Sequence, residues 1–287
     1  MSQSPAALRR WSTDILSAAG IDSAAAESID LLAHVLGVEP GRLILVDEVS
    51  DDDAETFRGL IAQRAQRVPL QYLTGRAYFA GLELQVGPGV FIPRPETELL
   101  ASWALEQLAG RPGPVPVADL CSGSGALALA VAAGSPAAQV IAVERSADAA
   151  DYLRRNIDAQ EPAVAGRVQV LRADVLDRDR MVAALGAREL IVVNPPYVPS
   201  GSPVSPEVAA DPYEAVFSGQ TGMDLIERLI PVLAEVLAPG GAVAVEHDDT
   251  TGPATVAAFT GDGRFTRVTA HADLAGRPRF VTAVRRD

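Results

Sequence analysis

Asn194-Pro195-Pro196-Tyr197 directly follows an apolar run, 190–193, that reads as a strand. Two successive prolines have no N–H to donate, and they stiffen the chain as it leaves a sheet. Their carbonyls remain acceptors. A planar NH2 group whose lone pair is delocalised into a π-system needs two acceptors, one for each N–H. Only then does its nitrogen face an incoming methyl carbon. The Asn194 side-chain oxygen and the Pro195 carbonyl can supply them, and Tyr197 can stack on the planar group. Taken alone, the tetrad also reads as a rigid strand exit with a surface tyrosine. As a site it specifies methylation of a planar nitrogen without choosing one. An adenine amino group, a cytosine amino group and a glutamine side-chain amide all satisfy the geometry.

A second constellation is Asp119-Leu120-Cys121-Ser122-Gly123-Ser124-Gly125-Ala126-Leu127-Ala128, placed where a strand turns into a helix. Gly123-x-Gly125-x-x-Ala128 satisfies a dinucleotide-binding fingerprint, so NAD is one candidate. Two glycines in a tight turn are the plainer alternative. Glu144, at the end of the next expected strand, suits a ribose-diol acceptor. Asp119 separates the candidates. A carboxylate there repels a pyrophosphate but suits a cofactor with an amine and a cationic sulfonium, which is S-adenosylmethionine.

Composition narrows the chemistry further. All 24 basic side chains are arginine, which excludes a lysine Schiff base, a lysine general base and a P-loop lysine. The net charge of −13 argues against non-specific nucleic-acid binding, whose affinity comes from neutralising phosphates. A docked basic protein is the more natural partner. The lone Cys121 allows no internal disulfide, and His34, His247 and His271 show no zinc spacing, so no metal is expected. No apolar run is long enough to span a membrane and no signal peptide is visible, so a cytoplasmic protein is expected.

These residues need elements to position them. At 287 residues and 48% hydrophobic, the chain is globular and long enough for two unequal domains. The first part reads as a helical bundle. Leu8, Trp11, Ile15 and Ala19 form one inward face before Gly20. Asp22 caps a helix with Ala25, Ile29, Leu32 and Leu36 inward. Ser50 and Asp53 open a third helix carrying Phe57, Leu60, Ile61 and Ala65, closed by Pro69. Trp11 and Phe57 are expected in its core. Alternation at Leu82, Leu84 and Val86, a turn at Gly87-Pro88-Gly89, and Val90 and Ile92 read as a β-hairpin connector. Strands at 115–120, 139–143, 168–171, 190–193, 242–245, 265–270 and 280–284, with helices between, give an α/β fold with an open, mainly parallel, doubly wound sheet. The Pro/Ser-rich stretch 198–206 reads as a flexible loop.

With these parts assembled, the chain resembles the bacterial protein-(glutamine-N5) methyltransferases of class I peptide chain release factors. The resemblance runs from the helical domain to the C-terminus. Its discriminating parts are Pro69-Leu-Gln-Tyr-Leu-Thr-Gly75 and Phe91-Ile-Pro-Arg-Pro-Glu-Thr-Glu98, beside the 119–125 turn and the 194–197 tetrad. The segment from Asp211 to Gly219 and on to Gly222, and Glu246-His247, are also similar. The resemblance implies a helical domain over 1–75, a hairpin connector over 76–93, and a class I S-adenosylmethionine-dependent methyltransferase sheet of seven strands within 94–287. The helical domain, a bundle without catalytic motifs beside a complete cofactor domain, is expected to be the substrate-recognition domain. It implies that Asp119, Cys121, Ser122, Gly123, Ser124 and Gly125 hold the methionine part, Glu144 the ribose, and Asp174 with Val175 the adenine. Asn194 then faces both cofactor and substrate, which is the glutamine of the Gly-Gly-Gln loop. The product is S-adenosylhomocysteine, and a monomer is expected. One departure is Cys121, where the family has its first glycine.

Other residues have plainer readings. Asp174 follows the third strand and can equally cap a helix. Arg94 and Glu96 can be an ordinary surface pair, Cys121 a small turn residue, and His247 structural. The competing functions are an adenine-N6 or cytosine-N4 nucleic-acid methyltransferase, which lacks a visible basic groove here, and a non-catalytic cofactor-binding module on a translation factor. The second does not need both N–H acceptors.

Overall fold

The computed structural model describes residues 3–287, which form two compact units. The smaller comprises the helical N-terminal part up to Arg76 together with Val204–Ala210; the larger comprises Ala77–Pro203 and Asp211–Asp287.

In the smaller unit the helices Pro5–Ala18, Ala24–Leu36 and Asp51–Ala65 pack around Leu8, Leu16, Leu31, Leu32, Phe57 and Ile61. Ser50 caps the third helix, its hydroxyl accepting from the Asp53 N–H at 3.1 Å. The inward faces differ from the sequence expectation. In the first helix Leu8, Ser12 and Leu16 point inward, while Trp11 and Ile15 are each 38% exposed. Ser12 tolerates burial because its hydroxyl donates to the Arg9 carbonyl. Trp11 therefore lies at the rim, edge-on to Phe57 with Arg58 over its ring. In the second helix Ala25 is exposed, Ile29 and Leu36 are half-buried, and Ser23 rather than Asp22 stands at the N-cap. An ion pair explains that rotation: Glu27 turns inward to meet Arg64 of the third helix.

The helix Asp51–Ala65 ends before Pro69, which instead precedes the short helix Leu70–Thr74. Only the end of the stretch read as a flexible loop, 204–206, belongs to this unit; the rest lies in the larger one. Just beyond it, Glu207 accepts from Arg64 at 2.9 Å and from both ends of the Arg67 guanidinium at 2.7 and 2.9 Å. The Arg67 and Arg64 hydrogen bonds hold the Glu207 carboxyl down at about 2.

The larger unit opens with a hairpin of β1 (Arg76–Phe79) and β2 (Leu82–Gln85). It turns at Ala80-Gly81, not at Gly87-Pro88-Gly89 as expected from alternation. Those glycines serve another purpose. A Cβ on Gly87 would lie 2.2 Å from the Tyr152 hydroxyl, and one on Gly89 3.1 Å from Asp148 Cβ. They let the chain pass close to the helix Ala147–Asp158.

Seven strands follow: β3 (Val115–Leu120), β4 (Ala138–Glu144), β5 (Val168–Arg172), β6 (Arg188–Val193), β7 (Leu237–Glu246), β8 (Phe265–Ala272) and β9 (Pro278–Arg285). Their order is β5-β4-β3-β6-β7-β9-β8, with β9 antiparallel to both neighbours and the rest parallel. The end of β6, Leu190–Val193, is buried on both faces, as a continuous apolar run in a parallel sheet requires. Two hydrophobic clusters cover opposite faces. One joins Val117 and Leu190 to the helices Glu98–Leu108 and Ala126–Gly134; the other joins Ala118 and Ile191 to Asp224–Val236. The order reverses between β3 and β6, so the ligand crevice of such a sheet should open beyond Leu120 and Val193.

Candidate active site

A cavity of about 820 Å³ lies at that point. Its wall includes Asp119, Cys121, Ser122, Gly123 and Ser124 after β3, Glu144 at the end of β4, Asp174 and Val175 after β5, and Asn194 and Pro196 after β6. Register explains the gathering. Leu120 stands opposite both Val143 and Val193, so the chain beyond β3 emerges between Glu144 and Asn194.

The glycine turn is held by Glu144 and Asn156. Cys121, Gly123 and Gly125 all have left-handed backbone, with φ of 61°, 55° and 88°. Only the two glycines adopt that without strain; Cys121 carries a cost of about 1–2 kcal/mol. Glu144 accepts from the Gly123 N–H at 2.8 Å and the Ser146 N–H at 2.7 Å. Each of its oxygens keeps a lone pair for a further donor. Asn156 donates to the Ser124 carbonyl at 2.9 Å while pairing with both backbone groups of Gln85. The turn opens into the helix Ala126–Gly134 with no side-chain cap at Gly125, which leaves N–H donors for a ligand.

Asp119 is 1% exposed. Its Oδ2 accepts from the Ala128 N–H at 3.0 Å, but Oδ1 is buried without a partner. Burial outweighs its hydrogen bonds and pushes the carboxyl up to about 7. A buried carboxylate oxygen without a donor fits a cationic ligand group. Burial, reinforced by Glu144 and Asp119, pushes the Cys121 thiol up, so it remains a thiol and not a nucleophile. Asp174 caps no helix: its Oδ1 accepts from the Leu176 N–H, and Asp177 caps the following helix.

The tetrad divides. Asn194 and Pro196 reach the wall, whereas Pro195, Tyr197 and, in the turn, Gly125 are outside it. Asn194 Nδ2 donates to Thr97 Oγ1 at 3.1 Å, which leaves its oxygen as an acceptor. The Tyr197 ring packs against the hydrophobic cluster on one sheet face, and its hydroxyl donates to Glu246 Oε1 at 2.8 Å. Aromatic surface in the cavity comes instead from Phe91 and from Tyr213 and Phe217, whose rings stack at 4.7 Å.

Arg94 and Glu96 are not a pair. Arg94 binds Asp211, which also accepts from the Ile92 N–H at 3.2 Å, while Glu96 stands 3.8 Å from Arg279. Sequence reading gave no role to Thr97 or Asn156. His247 is fully buried and outside the cavity wall, with Nδ1 2.8 Å from the Asp248 carbonyl. Among the described residues no cluster of His, Cys, Asp or Glu is placed to hold a metal ion, and no helix is long and apolar enough to cross a membrane.

Comparison with known proteins agrees with this architecture. Residues 7–75 match the model for the PrmC N-terminal domain, and residues 88–211 the model for the methyltransferase small domain. The release factor glutamine methyltransferase of Mycolicibacterium smegmatis is 50% identical over 95% of each chain. That of Mycobacterium tuberculosis is 43% identical over 94% of this chain and 88% of its own. A solved 16S rRNA methyltransferase of T. thermophilus, in complex with AdoMet and guanosine, shares the fold at 23% identity. Its TM-score is 0.50, over 74% of this chain and 50% of that one. With a relative half identical over nearly the whole of both chains, this chain belongs to the release factor glutamine methyltransferase family.

Proposed function

We propose that this chain transfers the methyl group of S-adenosylmethionine to the side-chain amide nitrogen of the glutamine in the Gly-Gly-Gln loop of class I peptide chain release factors. The observation that carries the reading is Asn194 at the cavity wall, its NH2 taken by Thr97 and its oxygen left to accept. The Pro195 carbonyl, outside the wall itself but between the wall residues Asn194 and Pro196, is the second acceptor. Two acceptors fix the amide plane and keep the nitrogen in line, so the residues act chiefly by positioning. Effective-molarity arguments allow that as much as ~7–11 kcal/mol. No general base is required, because the amide can lose its proton during or after transfer.

The cavity suits the cofactor. Asp119 meets its cationic part, the 121–125 turn holds the methionine part, Glu144 accepts from the ribose hydroxyls, and Asp174 with Val175 lines the adenine. When bound, it supplies a methyl group already activated on a sulfonium. The helical unit is the recognition domain for the protein substrate, and the enzyme acts as a cytoplasmic monomer without a metal. The test is to compare an intact release factor with a short Gly-Gly-Gln peptide, using labelled cofactor. Label should enter the glutamine, with kcat/KM far higher for the intact factor. Equal values would remove the recognition role, and label in nucleic acid would overturn the function.

The Asp119 reading has a pH consequence. Its folded value near 7 lies above its ordinary 3.8, so protonation stabilises the ligand-free fold at low pH. That contribution is lost as pH rises through about 7. A cation favours the ionised form, so binding should release a proton and weaken in acid. Cofactor affinity is expected to be about tenfold lower at pH 6 than at pH 8, read by calorimetry. An Asp119→Asn variant should lose this dependence; if it keeps the dependence, another group is responsible.

A further inference from the structure

We propose that Thr97 and Glu246 are positioning residues that hold the Asn194 amide with its oxygen toward the methyl acceptor. The inference rests on the reading of Asn194 as an acceptor and adds what sets its orientation. An asparagine amide has nearly the same shape when turned over, yet one face accepts and the other donates. Only one orientation receives a substrate N–H. Something fixed must choose it.

Three segments supply that choice. Val193 of β6 stands opposite Val245 of β7, so Asn194 and Glu246 leave the sheet side by side. Thr97, from the turn Pro95–Thr97, is 3% exposed, and Glu246 is 2% exposed. The Tyr197 hydroxyl occupies Glu246 Oε1, while Oε2 is buried without a regular hydrogen bond. Burial pushes the Glu246 carboxyl up to about 7, while the Thr97 and Tyr197 hydroxyls and Arg279 of β9 favour its ionised form against the nearby Glu96. A hydroxyl has one proton. If the carboxylate takes it, Thr97 can only accept from its other neighbour, and the Asn194 NH2 must face it. That is the observed bond, Asn194 Nδ2 to Thr97 Oγ1. The Asn194 oxygen is then presented as the acceptor. With the Glu246 carboxyl ionised, the run Asn194, Thr97, Glu246 thus has a polarity, and the carboxylate sets it.

The experiment compares Thr97→Val, Thr97→Ser and Glu246→Gln in single turnover at saturating cofactor. Valine keeps the volume and removes the hydroxyl; glutamine can donate back to Thr97 and let the amide turn over. Both should lower the rate at least about tenfold while cofactor affinity stays within about twofold. Thr97→Ser should restore most of the rate. In an Asn194→Ala background, Thr97→Val should add no further loss, because it acts through that amide. A wild-type rate for Thr97→Val, or an equal loss in the Asn194→Ala background, would overturn the positioning role. A wild-type rate for Asn194→Ala would instead overturn the acceptor reading, and the inference with it.

Discussion

Asn194→Ala is expected to transfer methyl groups about 10²–10³-fold more slowly than the wild-type chain, with cofactor affinity nearly unchanged. The variant removes one of two acceptors and lets the substrate amide rotate out of line. That interaction matters most in the aligned transition state, so kcat falls and cofactor binding does not. Loss of one positioned partner costs ~2.7–4 kcal/mol by analogy with oxyanion-hole donors. Asn194→Asp should fail for a second reason. Its oxygens replace the Nδ2 that donates to Thr97, so Thr97 has a carboxylate on each side and one proton to give. Single-turnover transfer to an intact release factor at saturating cofactor measures both. Near wild-type transfer by Asn194→Ala would mean that the tetrad is a rigid strand exit and nothing more.

The larger unit was legible because its physics is local. β3 begins and ends where its apolar run does, and β4, β5 and β6 extend the predicted runs by one or two residues. A parallel strand covered on both faces has to be apolar throughout, so its signal does not depend on the rest of the fold. The gathering of the candidate cofactor residues followed from it: once β3 and β4 are neighbours, Asp119, the glycine turn and Glu144 must converge. The hairpin was misread because Gly87 and Gly89 punctuate the chain like turn residues, although they are small for contact with Tyr152 and Asp148. The actual turn pairs Ala80 at φ 48°, a residue with no turn signature, with Gly81 at φ 79°, a single glycine beside the stronger punctuation of Gly87-Pro88-Gly89.

What stayed hidden depends on pairs far apart in sequence. The helical faces of the smaller unit are rotated by Glu27 meeting Arg64, and a periodicity argument places neither charge inside. Glu207 belongs to that unit through Arg64 and Arg67, more than a hundred residues earlier. Thr97 touches Asn194 only because the turn Pro95–Thr97 lies against the end of β6. Glu246 was the one reachable member. It ends the strand beside the one that delivers Asn194, and sheet order with register would have placed it there. The Tyr197 hydroxyl likewise points to Glu246, a contact that no spacing within the tetrad reveals.

Gly222→Ala is expected to damage both the fold and the tetrad. Gly222 has φ +79°, and a Cβ there would stand 2.2 Å from the Tyr197 carbonyl oxygen and 3.2 Å from its carbon. Backbone atoms cannot swing aside as a side-chain tip can. The tetrad's end is pinned on its other side as well: Tyr197 and Val198 donate to the Val216 carbonyl at 3.2 and 2.9 Å, and Ser200 donates to that of Gly219 at 2.7 Å. A methyl group at 222 therefore strains the left-handed backbone and pushes Tyr197 against its pairing. The first effect costs about 1–2 kcal/mol and the second about 1–3 kcal/mol. Gly201→Ala separates them. Gly201 also has positive φ, +86°, but a Cβ there meets nothing within 4 Å. It should pay the backbone cost alone and keep its rate. Urea unfolding should rank wild type above Gly201→Ala above Gly222→Ala, and single-turnover transfer should fall only for Gly222→Ala. If the two variants are equally stable and equally active, Gly222 holds no close approach to the tetrad, and its glycine serves only the turn.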